Sequence, residues 1–302
     1  ETHLFSKEGE VHGFSINLFM GNGFKLIKIY AEDSGLTKKL AQVFVYSIKC
    51  GVAGTYTDKR AYQEWIQKYD LLDSVKIREC EQGLQNFKKS PLVSIIMPVF
   101  NPRESFLREA IDSVLGQIYP KWELCVVDDA SSKGHVADVL EEYAAQDSRI
   151  RVQRRGQNGH ISTASNDALK MIRGEWVAFF DHDDLLRPHS LFHIVKAINE
   201  RPGVALIYSD EDKVNEKGVR CFPYFKTDFN PDLLRSHNCI THLCAIERSL
   251  IEQIGGFRPG CEGAQDWDLV FRCIEKIEPT SIHHIPHVLY HWRIHSESTA
   301  LS

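Results

Sequence analysis

From Pro91 onward, short apolar runs alternate with stretches in which apolar residues recur at helical spacing. The runs predict strands, and the stretches between them predict helices. Alternation of this kind is typical of an α/β domain, in which a mainly parallel sheet carries helices on both faces. The predicted strands cover residues 93–97, 122–127, 150–152, 176–180 and 204–208, and the predicted helices cover residues 106–115, 136–143, 162–172 and 191–198. This pattern limits the possible folds more strongly than any other feature of the chain.

Acidic residues follow three of these predicted strands. Open parallel sheets bind their ligands beyond the carboxyl ends of the strands, so the three acidic pairs are expected at one rim of the sheet. Aspartates also cap helices and form turns, and for the last pair this alternative is about as good as a ligand role. All three pairs together predict an acidic ligand site. The pairs are Asp128 with Asp129, Asp181 with Asp183, and Asp210 with Asp212.

The pair Asp181 and Asp183 has the spacing of a D-x-D metal motif, with His182 between the two acids. Two carboxylates separated by one residue can share a hard cation, and oxygen ligands favour Mg²⁺ or Mn²⁺ over soft metals. A diphosphate substrate would supply further oxygens to the ion. The motif is common by chance, but its place after a strand and beside other acids favours a metal site here.

The first ninety residues show a different pattern and predict a small α+β segment. Its predicted elements are a β-hairpin at residues 14–19 and 24–29, a helix beginning near Ser34, a second helix at residues 62–69, and a polar linker at residues 79–90. These residues carry no recognisable chemistry. We therefore expect an N-terminal segment of unknown role at residues 1–90 and an α/β domain at residues 91–302.

Composition narrows the class of protein and its partners. Hydrophobic residues make up 43% and charged residues 25%, which is typical of a soluble globular protein. The net charge of -5 argues against a nucleic-acid partner, although a local basic patch for peripheral contact with a membrane stays open. The eight cysteines form no C-x-x-C pair, which favours reduced thiols and a cytoplasmic location. The chain begins at Glu1 without a signal-peptide pattern, so it is expected to be part of a longer polypeptide.

The order and spacing of seven motifs identify a family. Residues 91–302 resemble the inverting family 2 glycosyltransferases of the GT-A fold, especially the bacterial enzymes of O-antigen and capsule polysaccharide biosynthesis. The motifs lie at residues 93–101, 127–131, 158–161, 180–184, 208–212, 263–269 and 290–293. The resemblance implies a Rossmann-like GT-A domain that transfers a hexosyl or deoxyhexosyl group. The donor would be a nucleotide-diphosphate sugar, and the acceptor a hydroxyl of a glycan or lipid-linked glycan.

The resemblance also implies a role for individual residues. Asp266 occupies the position of the catalytic base, and Asp183 would be the principal metal ligand, assisted by Asp181 and His295. Asp129 would bind the nucleotide base. The implied donor-binding residues are Pro98, Phe100, Asn101, Asp128, Asp129, Gly159, Asn166, Asp181, His182 and Arg293, and the implied acceptor residues are Trp267 and Asp212.

Several alternatives stay open. A sugar nucleotidyltransferase is disfavoured because residues 98–102 lack a glycine-rich basic loop, and an inactive sugar- or partner-binding module is disfavoured by intact Asp183 and Asp266. Trp267 is almost as well explained as a core residue, and Asp266 with Asp268 as a pair at a helix start. The four-residue spacing of His287, His291 and His295 would suit metal binding on a helix, but the surrounding residues predict a strand.

Overall fold

The computed structural model describes residues 23–33, 36–47 and 59–295. The chain divides into one unit that ends at Ala61 and a second that begins at Tyr62. None of the helices in the described residues is long and apolar enough to span a bilayer.

In the first unit, strand β1 (Gly23–Asp33) pairs antiparallel with strand β2 (Leu36–Ser47). The strand predicted at residues 24–29 is confirmed, whereas its predicted partner at residues 14–19 lies outside the described residues. The helix predicted from Ser34 is wrong, because residues 36–47 form β2. The run Val-Phe-Val-Tyr at residues 43–46 is β-branched and aromatic, which favours a strand over a helix.

Two helices precede the large sheet. Helix α1 (Lys59–Trp65) continues as a π-helical turn at Ile66–Asp70, and helix α2 (Ser74–Leu84) follows. The side chain of Asp73 caps α2 by accepting hydrogen bonds from two backbone amides of its first turn. Because the second unit begins at Tyr62, the structural boundary differs from the one predicted at residue 91. Residues 62–90 are therefore part of the same unit as the sheet.

The sheet of this unit has nine strands within residues 59–295: β3 (Val93–Val99), β4 (Trp122–Asp128), β5 (Ile150–Arg154), β6 (Trp176–Phe179), β7 (Leu185–Leu186), β8 (Leu206–Asn215), β9 (Arg220–Tyr224), β10 (Cys244–Glu247) and β11 (Ile282–Ile294). Their order in the sheet is β5-β4-β3-β6-β10-β8-β11-β7, with β9 paired to β8. Strands β5, β4, β3 and β6 run parallel, as do β8 and β11, and the other pairs are antiparallel. The α/β class is confirmed, and the sheet is mixed.

Helices cover both faces of this sheet and form two separate cores. The helices are α3 (Glu104–Leu115), α4 (Gly134–Gln146), α5 (His160–Met171), α6 (Ser190–Glu200), α7 (Pro231–Ser236), α8 (Arg248–Ile254) and α9 (Gln265–Ile274). Helices α3, α4 and α6 contribute to one core, whereas α5, α8 and α9 contribute to the other. Ile95 and Met97 of β3 belong to the first core and Ile96 to the second, because side chains alternate along a strand.

The third predicted acidic pair does not lie at a strand end. Strand β8 continues past Tyr208 to Asn215, because it pairs in parallel with β11 from Ile282 to Ile294. Asp210 and Asp212 are therefore inside the sheet, with only 4% and 0% of their surfaces exposed. The prediction that these residues join the other acids at the rim is wrong.

Candidate active site

A cavity of about 950 Å³ lies where β3, β4 and β6 end. The loops after these strands form one wall, and the start of α9 and the segment before β10 contribute others. The predicted site residues that line it are Pro98, Phe100, Asn101, Asp129, Asp181, His182, Asp183, Asp266 and His295. The carboxyl-end rule for parallel strands thus brings together side chains that lie up to about two hundred residues apart in sequence.

The loop after β3 carries Phe100 and Asn101. Phe100 is 47% exposed, which leaves its ring available to a ligand in the cavity. The Asn101 carboxamide oxygen accepts hydrogen bonds from the backbone amides of Ser132 (2.8 Å) and Lys133 (3.0 Å). Asn101 therefore joins the loops after β3 and β4, and its side-chain oxygen is already engaged by protein.

Four residues at this rim that are not glycine have left-handed backbone angles: Asn101, Ala130, His160 and Thr241, with φ of 50°, 61°, 64° and 25°. Such angles are unfavourable for residues with a Cβ and cluster at functional sites. Three of the four residues line the cavity directly. The strain supports a functional site at this edge of the sheet.

The two acids that follow β4 have different surroundings. Asp128 is 1% exposed and accepts a hydrogen bond from the Ser131 amide at 2.9 Å, so it shapes the loop below the cavity. Asp129 lines the cavity and accepts a hydrogen bond from the Gly159 amide at 2.9 Å. Arg155 lies 2.8 Å from the Asp129 carboxylate. Gly159 thus approaches the site through its backbone, at the start of α5.

The D-x-D motif follows β6 and faces the cavity. The His182 Nδ1 lies 3.0 Å from the Pro98 carbonyl oxygen, to which it donates a hydrogen bond. The Asp183 carboxylate lies 2.8 Å from His295 Nε2. Asp181 lies 3.7 Å from the imidazole of His242. Burial, together with the charges of Asp183 and Asp266, raises the pKa of Asp181, although the neighbouring His242 and His182 lower it.

This acidic cluster suits a divalent cation. Asp181, Asp184 and His242 each offer a ligand atom within 4.8 Å of the others. Both oxygens of Asp184 already accept hydrogen bonds, one from Tyr290 OH (2.6 Å) and one from the Arg293 amide (2.7 Å), so Asp184 supports the site from behind. Carboxylate oxygens with one or two imidazoles match the preferences of a hard or borderline ion. The residues present therefore fit the predicted metal.

Asp266 lies in the first turn of α9 and reaches the cavity from a different part of the chain. The Asn238 side-chain amide donates a hydrogen bond of 2.8 Å to Asp266 Oδ2. Asp268, two residues later, instead forms ion pairs with Arg258 and with Arg272 (2.8 Å). The two acids at this helix start therefore differ in their contacts. Asp266 faces the cavity, whereas Asp268 stabilises the helix through its ion pairs.

Besides Asp128, four residues predicted for the site lie behind it or away from it. The Asn166 amide exchanges two hydrogen bonds of 2.8 Å with the backbone of Phe257 and so holds that loop. Arg293 is 3% exposed and donates to the Asp183 carbonyl oxygen at 2.7 Å, which supports the metal motif. Trp267 donates to the Leu234 carbonyl oxygen at 2.9 Å and stacks on Phe271, as a core residue does.

Asp212 is the fourth of these residues, and it does not reach the cavity. Its carboxylate accepts hydrogen bonds from Tyr62 OH (2.5 Å) and Arg220 Nε (2.6 Å), and it also contacts His291. Arg220 further pairs with Asp70 at 2.6 Å, and Asp70 contacts Arg187. We call these six residues the buried ion network. The network connects the N-terminal helices to strands β8, β9 and β11. Asp212 therefore has a structural role, whereas an acceptor role was predicted.

The structure adds His242 to the site, which the sequence did not reveal. The His242 ring stacks on Tyr290 with centroids 4.5 Å apart, and its backbone amide donates to buried Glu211 at 3.1 Å. Glu211 also accepts from Thr241 Oγ1 at 2.8 Å and pairs with Lys226 at 3.1 Å. No acid neighbours His242 in sequence, so only folding brings it to Asp181. These contacts of Glu211 hold the segment before β10 at the rim.

Comparison with known proteins agrees with this architecture. The sequence model described as "Glycosyl transferase family 2" matches residues 94–255. A Sinorhizobium fredii protein, y4gI, is 47% identical over 227 residues, which cover 75% of this chain and 25% of that protein. The O-antigen biosynthesis protein RfbC of Myxococcus xanthus is 38% identical over 228 residues, or 76% of this chain and 18% of its own length. The chain thus spans a quarter or less of these relatives.

Solved structures share the fold at lower identity. Residues 1–349 of S. aureus TarS, solved with UDP-GlcNAc, align with a TM-score of 0.59 and 21% identity, covering 70% of this chain and 61% of that one. The mannosyltransferase PcManGT of Pyrobaculum calidifontis, solved with GDP-Man and Mn²⁺, aligns with a TM-score of 0.55 and 22% identity, covering 74% and 65%. The GT-A fold predicted from the motifs is confirmed. With the family match covering more than half of its length, the chain belongs to glycosyl transferase family 2.

Proposed function

We propose that the chain transfers a sugar from a nucleotide-diphosphate donor to a hydroxyl group of a glycan or lipid-linked glycan, with a divalent metal and with inversion at the anomeric carbon. One observation carries the proposal: Asp181 and Asp183 line the same 950 Å³ cavity as Asp266, although they come from different elements. A leaving-group site and a proton acceptor would thus share one cavity, as a displacement reaction requires.

The loops after β3 and β4 would hold the nucleotide. Phe100 presents an exposed ring to the cavity, and Asp129 presents a carboxylate that can accept a hydrogen bond from a base. The Arg155 charge and the Gly159 amide fix the position of Asp129, so its acceptor atom is held before a ligand arrives. A preorganised acceptor of this kind lowers the cost of binding.

Asp183, Asp181, His295 and His242 would hold Mn²⁺ or Mg²⁺ where the diphosphate departs. When bound, the cation neutralises the negative charge that grows on the leaving group. Arg293 holds the Asp183 backbone from behind, through its hydrogen bond to the Asp183 carbonyl oxygen. Bound Mn²⁺ in PcManGT supports this choice of ion for the fold.

Asp266 would act as the general base on the acceptor hydroxyl. A hydroxyl is a weak nucleophile until a base removes its proton during attack. The hydrogen bond from Asn238 occupies one carboxylate oxygen of Asp266, and no hydrogen bond from the described residues occupies the other, which can receive that proton. Attack from the side opposite the diphosphate inverts the anomeric centre.

We further propose a cytoplasmic location, with contact to the inner membrane face where lipid-linked acceptors lie.

The test of this function is a panel of nucleotide sugars incubated with Mn²⁺ and the purified chain. We expect one donor to raise the melting temperature in the presence of the metal and to be hydrolysed slowly when no acceptor is added. Release of nucleoside diphosphate would be measured. A donor that binds without being consumed, even with glycan acceptors present, would favour a binding module and contradict the proposal.

We expect Asp183→Ala to remove metal-dependent donor binding and to leave the fold intact, because this carboxylate lies at the edge of the cavity and outside the two cores. Mn²⁺ should raise the melting temperature of the unmodified chain and should not raise that of the variant. Asp232→Ala is the matched control, because Asp232 is an exposed carboxylate on α7 that pairs only with Arg235 in the described structure. Full activity in excess EDTA would contradict the metal requirement.

A further inference from the structure

A second cavity of about 710 Å³ lies between the N-terminal helices and α6. Its walls come from three regions: residues 69–88, residues 187–200 and His287 of β11. Among the described residues, it shares no lining side chain with the catalytic cavity. His287 of this cavity lies eight residues before His295 of the catalytic cavity, a span of roughly 26 Å at about 3.3 Å per residue of strand.

Three imidazoles meet in the second cavity. The rings of His189 and His193 lie 5.1 Å apart, and those of His193 and His287 lie 4.4 Å apart. Burial lowers the pKa of His189 to about 2 and that of His193 to about 3, so both rings are neutral at physiological pH. His189 is 6% exposed, and its Nδ1 has no hydrogen-bond partner among the described residues. A buried polar atom without a partner is uncommon and calls for an explanation.

Cations outnumber acids around these rings. The cations are Arg187, Lys76, Lys88 and Lys196, and the acids are Asp70, Glu79 and Glu200. Asp70 is held by Arg187 and Arg220 in the buried ion network, and Glu200 lies 3.9 Å from Lys196. The wall therefore has one positive charge in excess (four cations less three acids), whereas the whole chain carries a net charge of -5.

An aromatic surface completes the cavity. The rings of Phe87 and Phe192 stack with centroids 5.4 Å apart and an angle of 29° between their planes. Both line the cavity, together with Tyr69, which is 44% exposed. Flat apolar surfaces beside a few polar groups are typical of small-molecule sites. A ligand with one apolar face and one charged group would match both parts of the wall.

We propose that the second cavity binds a small organic anion with an apolar face, of the kind presented by a sugar that carries a carboxylate or a phosphate. The apolar face would lie on Phe87 and Phe192, and the anionic group would lie near Lys88 and Lys196. The imidazoles would complete its hydrogen bonds.

A metal ion is a poorer match for these histidines. In the residues that the structure describes, only Asp181, Asp184 and His242 bring three ligand atoms within 4.8 Å of one another. The ligand nitrogens of His189, His193 and His287 do not all lie within 4.8 Å of one another, and Arg187 would repel a cation. An anion needs only the charges already in place.

The test is calorimetric titration of the full chain with glucuronate, glucose 6-phosphate and neutral glucose. We expect both acids to bind, with glucose weaker by about tenfold or more, the effect of losing one charge-assisted hydrogen bond. If only one acid binds, the anion class is identified as carboxylate or phosphate, which refines the proposal.

Variants separate this cavity from the catalytic one. The double variant Lys88→Met and Lys196→Met should weaken binding of the acids by about tenfold. Lys170→Met is the control and should change nothing, because Lys170 is 75% exposed on α5. Asp183→Ala should still bind the acids. Loss of their binding in Asp183→Ala, equal binding of glucose, or unchanged affinity in the double variant would overturn the proposal.

Discussion

Asp266→Asn is expected to lower the rate of sugar transfer by roughly 10²- to 10⁴-fold, the range for loss of a general base, while donor and metal affinities change little. Asparagine keeps the size of the side chain and an oxygen that can accept the hydrogen bond from Asn238 (2.8 Å in the native chain). It cannot accept the proton of the acceptor hydroxyl. The substitution therefore removes one chemical function and preserves the surrounding geometry.

The measurement combines calorimetry of donor and Mn²⁺ with a transfer assay on the same preparations. Asp183→Ala should lose donor binding and transfer together, because it acts on the leaving group. Asp268→Asn is the matched control on the same helix turn, since its carboxylate pairs with Arg258 and Arg272 and does not line the cavity. If Asp266→Asn lost donor binding as fully as Asp183→Ala, Asp266 would belong to the nucleotide site.

Asp212→Asn is expected to lower the free energy of unfolding by about 3–5 kcal/mol, the usual result of breaking a buried ion pair from one side. Asp212 is 0% exposed and accepts hydrogen bonds from Tyr62 and Arg220. The variant leaves the Arg220 and Arg187 charges with Asp70 as their only acid in the network. The N-terminal helices should then detach more readily from β8 and β9.

The buried ion network also predicts how stability depends on pH. Burial raises the pKa of Asp212, but His291, Arg220 and Tyr62 outweigh this effect and hold the pKa below its usual value. Such a carboxylate stabilises the native state above the unfolded-state pKa of about 4, and its contribution is lost as the pH falls below that value. The acid limb of the stability curve should therefore be flatter in Asp212→Asn than in the native chain.

Urea unfolding followed by circular dichroism, repeated between pH 3 and pH 7, would measure both effects. Asp232→Asn is the control, because its side chain is 88% exposed and its ion pair with Arg235 should contribute less than about 1 kcal/mol. Equal destabilisation by the two substitutions would show that the buried ion network does not hold the N-terminal helices in place.

The local sequence pattern was sufficient to predict the position of a functional residue where that residue lies next to the end of its own strand or helix. The apolar runs at residues 93–97, 122–127 and 176–180 predict three parallel strands, and the parallel arrangement then places Asp129, Asp181 and Asp183 at one rim. The strand predicted around Ile285 likewise disfavoured a helical face of three histidines, and β11 confirms the strand. In these cases the alternation of side chains along the strand and the direction of the strand determine where the residues lie.

Tertiary structure determined the roles of the residues whose partners are distant in sequence. Strand β8 passes Asp210 and Asp212 because β11 pairs with it about seventy residues later, and buried carboxylates there need His284, Arg220 and Tyr62 to offset desolvation. His242 reaches Asp181 because Glu211 holds its backbone amide. No periodicity encodes such contacts, since a polar side chain takes its role from the charges that folding places around it, and the same aspartate can ligate an ion at a rim or join two elements in a core.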